Sequence, residues 1–203
     1  MIKKLFKCIV SFGHGCFFLT YRDDRFLITV GDYRKAQLTL WSTQKYTSIL
    51  HWQDESSSSA YVNCLIWNPL RANEFCMGGS KGIFRFCTIV ESTQDSETRL
   101  QVVNALIPSS ITENATKNCD ITSCAYLISA ANLVLCSTNL GFITCWNSRN
   151  HTCLLHWKAD ANEICYMSTI KHQLITGSSN GCLRLWNTER LESSLIHPNS
   201  TDG

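Results

Sequence analysis

The sequence is poor in proline, poor in charge of either sign and free of long apolar runs. Three prolines in 203 residues leave no proline-rich linker, and with 44% apolar residues the chain reads as globular. Eighteen basic and sixteen acidic residues give a net charge of +2, with no block of like charges. Charge alone therefore draws the chain to neither nucleic acid nor anionic lipid. No stretch approaches the ~18 apolar residues of a membrane helix. The N-terminus, MIKKLFKCIVSFGHGCFFLT, has a basic start but is interrupted by Lys7 and His14, with no small-residue cleavage site after it. It reads as a strand rather than a leader, so the sequons at Asn114, Asn150 and Asn199 carry no weight. A soluble, cytoplasmic protein is the expectation.

Catalytic signatures are missing as well. The sequence has no GxSxG elbow, no P-loop, no HExxH and no GxGxxG. No CxxC pair occurs among twelve cysteines, and Cys119 and Cys124 in NCDITSC are too far apart for a thioredoxin-type site. Most cysteines lie in apolar runs such as LVLCS, GFITCW and GCLRLW, where Cys packs as a small hydrophobe. Free thiols in a reducing compartment are expected, not a disulfide framework. His51 and His156 each precede a Trp in similar segments, and read as repeat-equivalent strand residues rather than as a metal or catalytic pair. Cys153 with His151 lacks an orienting third group. Asp23 and Asp24 read as a solvated turn, and Asp160 and Glu163 as groups facing solvent or a neighbouring unit. The expectation is no enzyme, no cofactor, no metal and no small-molecule substrate.

What the sequence does have is a repeat. LITGSSNGCLRLWN (174–187), LVLCSTNLGFITCWN (133–147), FCMGGSKGIFRFCT (75–88) and FLITVGDYRKAQLTLWS (26–42) share one plan. An apolar strand meets a short polar turn, and a second strand ends at Trp41, Cys87, Trp146 or Trp186. Trp146 and Trp186 are 40 residues apart, and Trp41 and Cys87 are 46 apart. Such a period fits a four-stranded propeller blade. Upstream strands are expected at 16–21, 62–67, 121–127 and 164–169. Fourth strands are expected at TSILHW (47–52), TCLLHW (152–157) and RLQVVNALI (99–107). One such sheet cannot bury both faces alone, so the unit must stack on its neighbours. Gly82, Gly141 and Gly181 are placed to supply positive φ in the turns. The strand-end tryptophans are expected between blades, each indole N–H finding a partner.

These features resemble the WD-repeat family over roughly residues 14–190. The closing dipeptide appears as Trp41-Ser42, Trp146-Asn147 and Trp186-Asn187, and the opening Gly-His once, at Gly13-His14. The family's Asp–His–Ser/Thr–Trp tetrad is incomplete, its nearest version being Asn180, Thr176 or Ser178, and Trp186. The turn in GDYRKAQLTLW, longer than the others, and the segment VNCLIWNPLRANEF are similar to a centriolar and ciliary branch of the family. More loosely, the chain resembles the echinoderm microtubule-associated-protein-like family. The resemblance implies a protein-binding scaffold associated with microtubules, the centriole or the cilium, with tubulin or centriolar and ciliary proteins as partners. The alternative is a substrate-receptor or adaptor propeller of another complex, for example a ubiquitin ligase.

The expected fold is therefore all-β: an arc of about four four-stranded WD-type blades, open or part of a larger propeller. Residues 1–12 would be the last strand of a preceding blade. Blades follow at 13–52, 60–107, 119–158 and 160–197, with a polar linker at 108–118 and a tail at 198–203. That organisation reads as a piece of a longer protein. His14 joins the tryptophans, Cys87 and the turn glycines as a structural repeat position. Arg22, Arg25, Arg34 and Lys35 form a basic cluster on the first blade, the candidate contact for an acidic partner surface. A second candidate surface gathers Tyr33, Arg71, Lys81 and Arg149, on the reasoning that turns of successive blades share one propeller face.

Overall fold

A computed structural model describes residues 18–22, 25–31, 37–54, 61–91, 97–113, 115, 118–130 and 132–196. It contains four antiparallel sheets, each a simple meander. The first is β1 (Phe18–Arg22), β2 (Phe26–Gly31), β3 (Gln37–Ser42) and β4 (Thr47–Gln53). The second is β5 (Val62–Trp67), β6 (Glu74–Gly79), β7 (Ile83–Glu91) and β8 (Thr98–Leu106). The third is β9 (Ile121–Tyr126), β10 (Leu133–Thr138), β11 (Phe142–Asn147) and β12 (Thr152–Lys158). The last is β13 (Ile164–Ile170), β14 (Gln173–Ser178) and β15 (Leu183–Asn187). The opening strands lie side by side, β1 by β5, β5 by β9 and β9 by β13, so the sheets follow one another around an open arc. The strand expected within residues 1–12, with His14, lies outside the described residues.

Register makes the repeat physical. Trp41 pairs with Leu27, Cys87 with Phe75, Trp146 with Val134 and Trp186 with Leu174, the same ladder position each time. On each third strand alternate side chains face the next sheet, as a period of two requires. Leu38 and Leu40 of β3 pack with Trp67, Phe75 and Met77 of the second sheet. Phe84 and Phe86 of β7 pack with Ile121, Cys124 and Trp146 of the third. Ile143 and Cys145 of β11 pack with Ile164, Met167 and Leu174 of the last. The core is thus three slabs between sheets, each built from the same positions. Gly141 shows how tightly the connections are held. It sits at φ +75°, and a Cβ there would lie 2.2 Å from the Asp160 carbonyl oxygen. Gly82 and Gly181 also have positive φ, at 66° and 84°.

The last sheet departs from the four-stranded expectation. After β15 the chain forms a helix, Glu189–Ile196, instead of a fourth strand. Local chemistry explains the switch. The Asn187 side chain accepts from the Glu189 N–H at 2.9 Å, and Thr188 Oγ1 donates to Glu192 Oε1 at 2.5 Å. These contacts fix the first turn, and Glu, Arg and Leu favour helix. Leu191 and Leu195 then pack on the slab between the third and last sheets.

Candidate interaction faces

Two of the three closing tryptophans are pinned from the second strand. The Trp41 indole donates to Thr29 Oγ1 at 2.9 Å and the Trp186 indole to Thr176 Oγ1 at 3.0 Å. In the third sheet Cys136 occupies the position of those threonines, and the Trp146 indole turns to Thr144 Oγ1 at 2.7 Å. Of the tetrad candidates, Thr176 holds the tryptophan, whereas Ser178 donates to Asp160. Asn180 caps its own turn, accepting from the Cys182 N–H at 3.0 Å.

A second pinning device was missed by sequence reasoning. Arg85 and Arg184 occupy the same third-strand position, opposite Met77 and Thr176. Each pairs with an aspartate that follows the fourth strand of the preceding sheet: Arg85 with Asp54, Arg184 with Asp160. Both aspartates are buried, as is Arg85 at 0% exposure. Arg85 also lies 5.9 Å from the Trp52 ring, while its Nε and Nη1 have no partner among the described residues. These pairs tie one blade to the next, so Asp160 faces its neighbouring blade and not solvent. The signal was present in the near-identical segments TSILHWQD and TCLLHWKAD.

Arg25 is exposed, 3.6 Å from Glu91, with its guanidinium 5.0 Å from the Phe26 ring centre. Arg22 ends β1, paired through the backbone with Phe26. Arg34 and Lys35 lie outside the described residues, as does Tyr33. Arg71 and Lys81 sit at opposite ends of β6, about 20 Å apart for a six-residue strand. Turns do share a face, but connections alternate between the two ends of a meander, so Lys81 leaves the group. Arg71 and Arg149, from different sheets, do meet. Arg149 Nε donates to Asn132 Oδ1 at 2.9 Å, and Arg71 Nη2 approaches the same oxygen at 3.4 Å.

Between these arginines, where the second and third sheets meet, a cavity of about 370 Å³ opens. Its apolar side is Phe75 and Phe86, and its polar side includes Arg71, Glu74, Ser148, Arg149 and His151. Arg71 is tied to Glu74 at 2.7 Å. His151 takes φ +60° in the turn after β11, and its ring packs against Phe86 with centroids 4.7 Å apart.

The histidines and thiols take structural places. His51 and His156 are repeat equivalents, opposite Thr39 and Thr144. His51 bonds Thr39 at 3.0 Å and His156 bonds Ser110 at 3.2 Å. Cys153 donates to the Leu155 carbonyl, not to His151. Cys64, Cys76, Cys124 and Cys136 meet in the slab between the second and third sheets. Burial pushes Cys76 and Cys145 up to about 12 and Cys119 to about 11, so these thiols stay protonated. Among the described residues no three His, Cys, Asp or Glu side chains form a metal-holding group, and no helix is long and apolar enough to cross a membrane.

Stacked antiparallel meanders of three or four strands are the blades of a β-propeller, held here as an open arc. Over 81% of its length the chain is similar to WD repeat-containing protein 90: 30% identical to the Xenopus tropicalis protein over 165 residues and 31% identical to the Homo sapiens protein over 165. It spans only 8–9% of the length of these relatives. No protein-family model matches. Among solved structures, the β-propeller domain of Cps50 (Swd1) from Myceliophteria thermophila superposes with a TM-score of 0.62 at 16% identity, over 80% of this chain and 48% of that one. The computationally designed Ika4 protein gives a TM-score of 0.59 at 13% identity, over 86% and 91%. At these identities the likeness shows the fold alone.

Proposed function

We propose that this arc is a non-catalytic protein-interaction scaffold, associated with microtubules at the centriole or in the cilium. The observation that carries the scaffold reading is the meeting of Arg71 and Arg149 at Asn132. Loops of successive blades are brought side by side into composite surfaces, while the Asp54–Arg85 and Asp160–Arg184 pairs hold the blades to one another. A rigid frame carrying neighbouring loops is suited to binding other proteins. The cytoskeletal location is supported by the similarity to WD repeat-containing protein 90, through the branch of the family that the 26–42 and 62–75 segments resemble.

The test is co-sedimentation of the purified chain with microtubules, together with imaging of the endogenous protein by an antibody raised to residues 91–117. Pelleting with polymer and a centriolar or axonemal signal are expected. A diffuse signal with no pelleting would remove the cytoskeletal assignment.

A further inference from the structure

The groove between the second and third blades has the chemistry of a ligand site. Ser148 lines it at 7% exposure, and the hydroxyl has no partner among the described residues. Buried hydroxyls are nearly always paired, so an unpaired one beside a cavity points to an acceptor that arrives with a ligand. Arg149 stands beside it. Its Nε is committed to Asn132, and its two Nη groups have no partner among the described residues. Arg71 supplies a second guanidinium from the facing blade, partly neutralised by Glu74. The His151 ring is fixed against Phe86 at the same wall.

We propose that this groove binds a phosphorylated serine or threonine side chain carried by an extended segment of a partner protein. Guanidinium forks match phosphate oxygens, and the Ser148 hydroxyl offers a further donor. Arg71, Arg149 and Glu74 leave the groove net positive, and a phosphate of nearly two charges is drawn to it more strongly than a singly charged carboxylate. The cavity of about 370 Å³ is larger than a bare phosphate needs, leaving room for the side chain that bears it. The peptide character of the ligand rests on the scaffold reading. Binding is measured directly here, so failure would leave the microtubule and localisation results standing.

The experiment is fluorescence anisotropy with the whole chain and a labelled Ala-Ala-phosphoserine-Ala-Ala peptide. Its unphosphorylated and glutamate counterparts serve as comparisons, and inorganic phosphate as competitor. Binding at least tenfold tighter than the unphosphorylated peptide is expected, displaced by inorganic phosphate. Arg149→Gln is expected to weaken it about tenfold, and Ser148→Ala about threefold. Arg149 is exposed, so its variant should melt like the parent. Lys81→Gln, at the far end of β6, should leave binding unchanged. Equal affinity for the phosphorylated and unphosphorylated peptides would overturn the proposal. So would equal affinity for the glutamate peptide, or indifference to both groove variants.

Discussion

Ile143 and Leu183 occupy one position of the repeat in two environments. Ile143 sits opposite Ser137 in the third blade and Leu183 opposite Gly177 in the last. Ile143 is 0% exposed, inside the slab against the last blade, whereas Leu183 is 78% exposed, with no sheet packed over it among the described residues. Truncation to alanine should therefore separate them. Ile143→Ala removes three buried carbons and leaves a cavity, a loss of about 3 kcal/mol. For a chain of this size each kcal/mol lowers Tm by roughly 2–4 °C, so a drop of about 6–12 °C is expected. Leu183→Ala removes atoms already in water and should cost under about 0.5 kcal/mol, or roughly 2 °C at most. Thermal melts followed by far-UV circular dichroism at two protein concentrations would measure both. Comparable losses for the two variants would refute the reasoning, because Leu183 would then be buried in solution. A cost for Leu183→Ala that grew with protein concentration would show that a second copy covers it.

The ion pair beneath the second blade should respond asymmetrically. Asp54→Asn strands the Arg85 charge at 0% exposure and should cost about 3–5 kcal/mol, while Asp54→Leu with Arg85→Met should recover most of that loss in the same melts. A melting temperature unmoved by Asp54→Asn would show that the pair is not buried. Glu192 should shape the acid limb of stability. Its burial raises the carboxyl, but hydrogen bonds from Ser129, Thr188 and His172, with the His172 charge, outweigh that and hold it below its ordinary value of 4.5. A depressed carboxylate stabilises the fold above its unfolded value, and that contribution fades as pH falls from about 4.5 through the lower folded value. Glu192→Gln should flatten this part of a Tm-against-pH curve, and an identical acid limb in both proteins would contradict the assignment. Alkylation of the native chain, read by peptide mass mapping, should label exposed Cys165 and Cys182 first and spare Cys76 and Cys136 until denaturant is added. Early labelling of Cys136 would mean that the slab between the second and third blades opens.

The periodic parts of the fold were legible because they repeat. TSILHW and TCLLHW fall in β4 and β12, and RLQVVNALI overlaps β8 from its second residue. The closing tryptophans and Cys87 share one ladder position, from which Cys87, Trp146 and Trp186 reach the slab against the preceding sheet, while Trp41 packs with Leu27 and Tyr46. The helix at Glu189–Ile196 escaped notice because no earlier described unit has a helix in the place of its fourth strand, and only its Asn187–Thr188 start announces it. Arg71 and Arg149 were both visible, but separating Lys81 from them required knowing that Arg71 and Lys81 lie at opposite ends of β6. Ser148 gave no sign at all. It follows a strand-ending Asn, as any turn serine would, and only burial without a partner distinguishes it.

The two ion pairs explain how blades with an incomplete tetrad can hold together. In blades pinned through Trp41 and Trp186, the hydroxyl of a second-strand threonine secures the indole within a sheet. That contact does nothing to fix one sheet against another. Asp54 and Asp160 do so, because each leaves one blade and pairs with an arginine at the centre of the next. Ser178 and the Asn162 N–H bind the Asp160 carboxylate as well, so its loop has little freedom to shift. The same loop presses on Gly141, where no side chain fits. Blade-to-blade geometry at this junction is therefore set by polar contacts as well as by the apolar slab, and apolar slabs alone tolerate repacking. A surface assembled from two blades, as Arg71 and Arg149 are, keeps its spacing only if the blades keep theirs. Fixing one blade on the next is thus the structural condition for composite recognition at the loops.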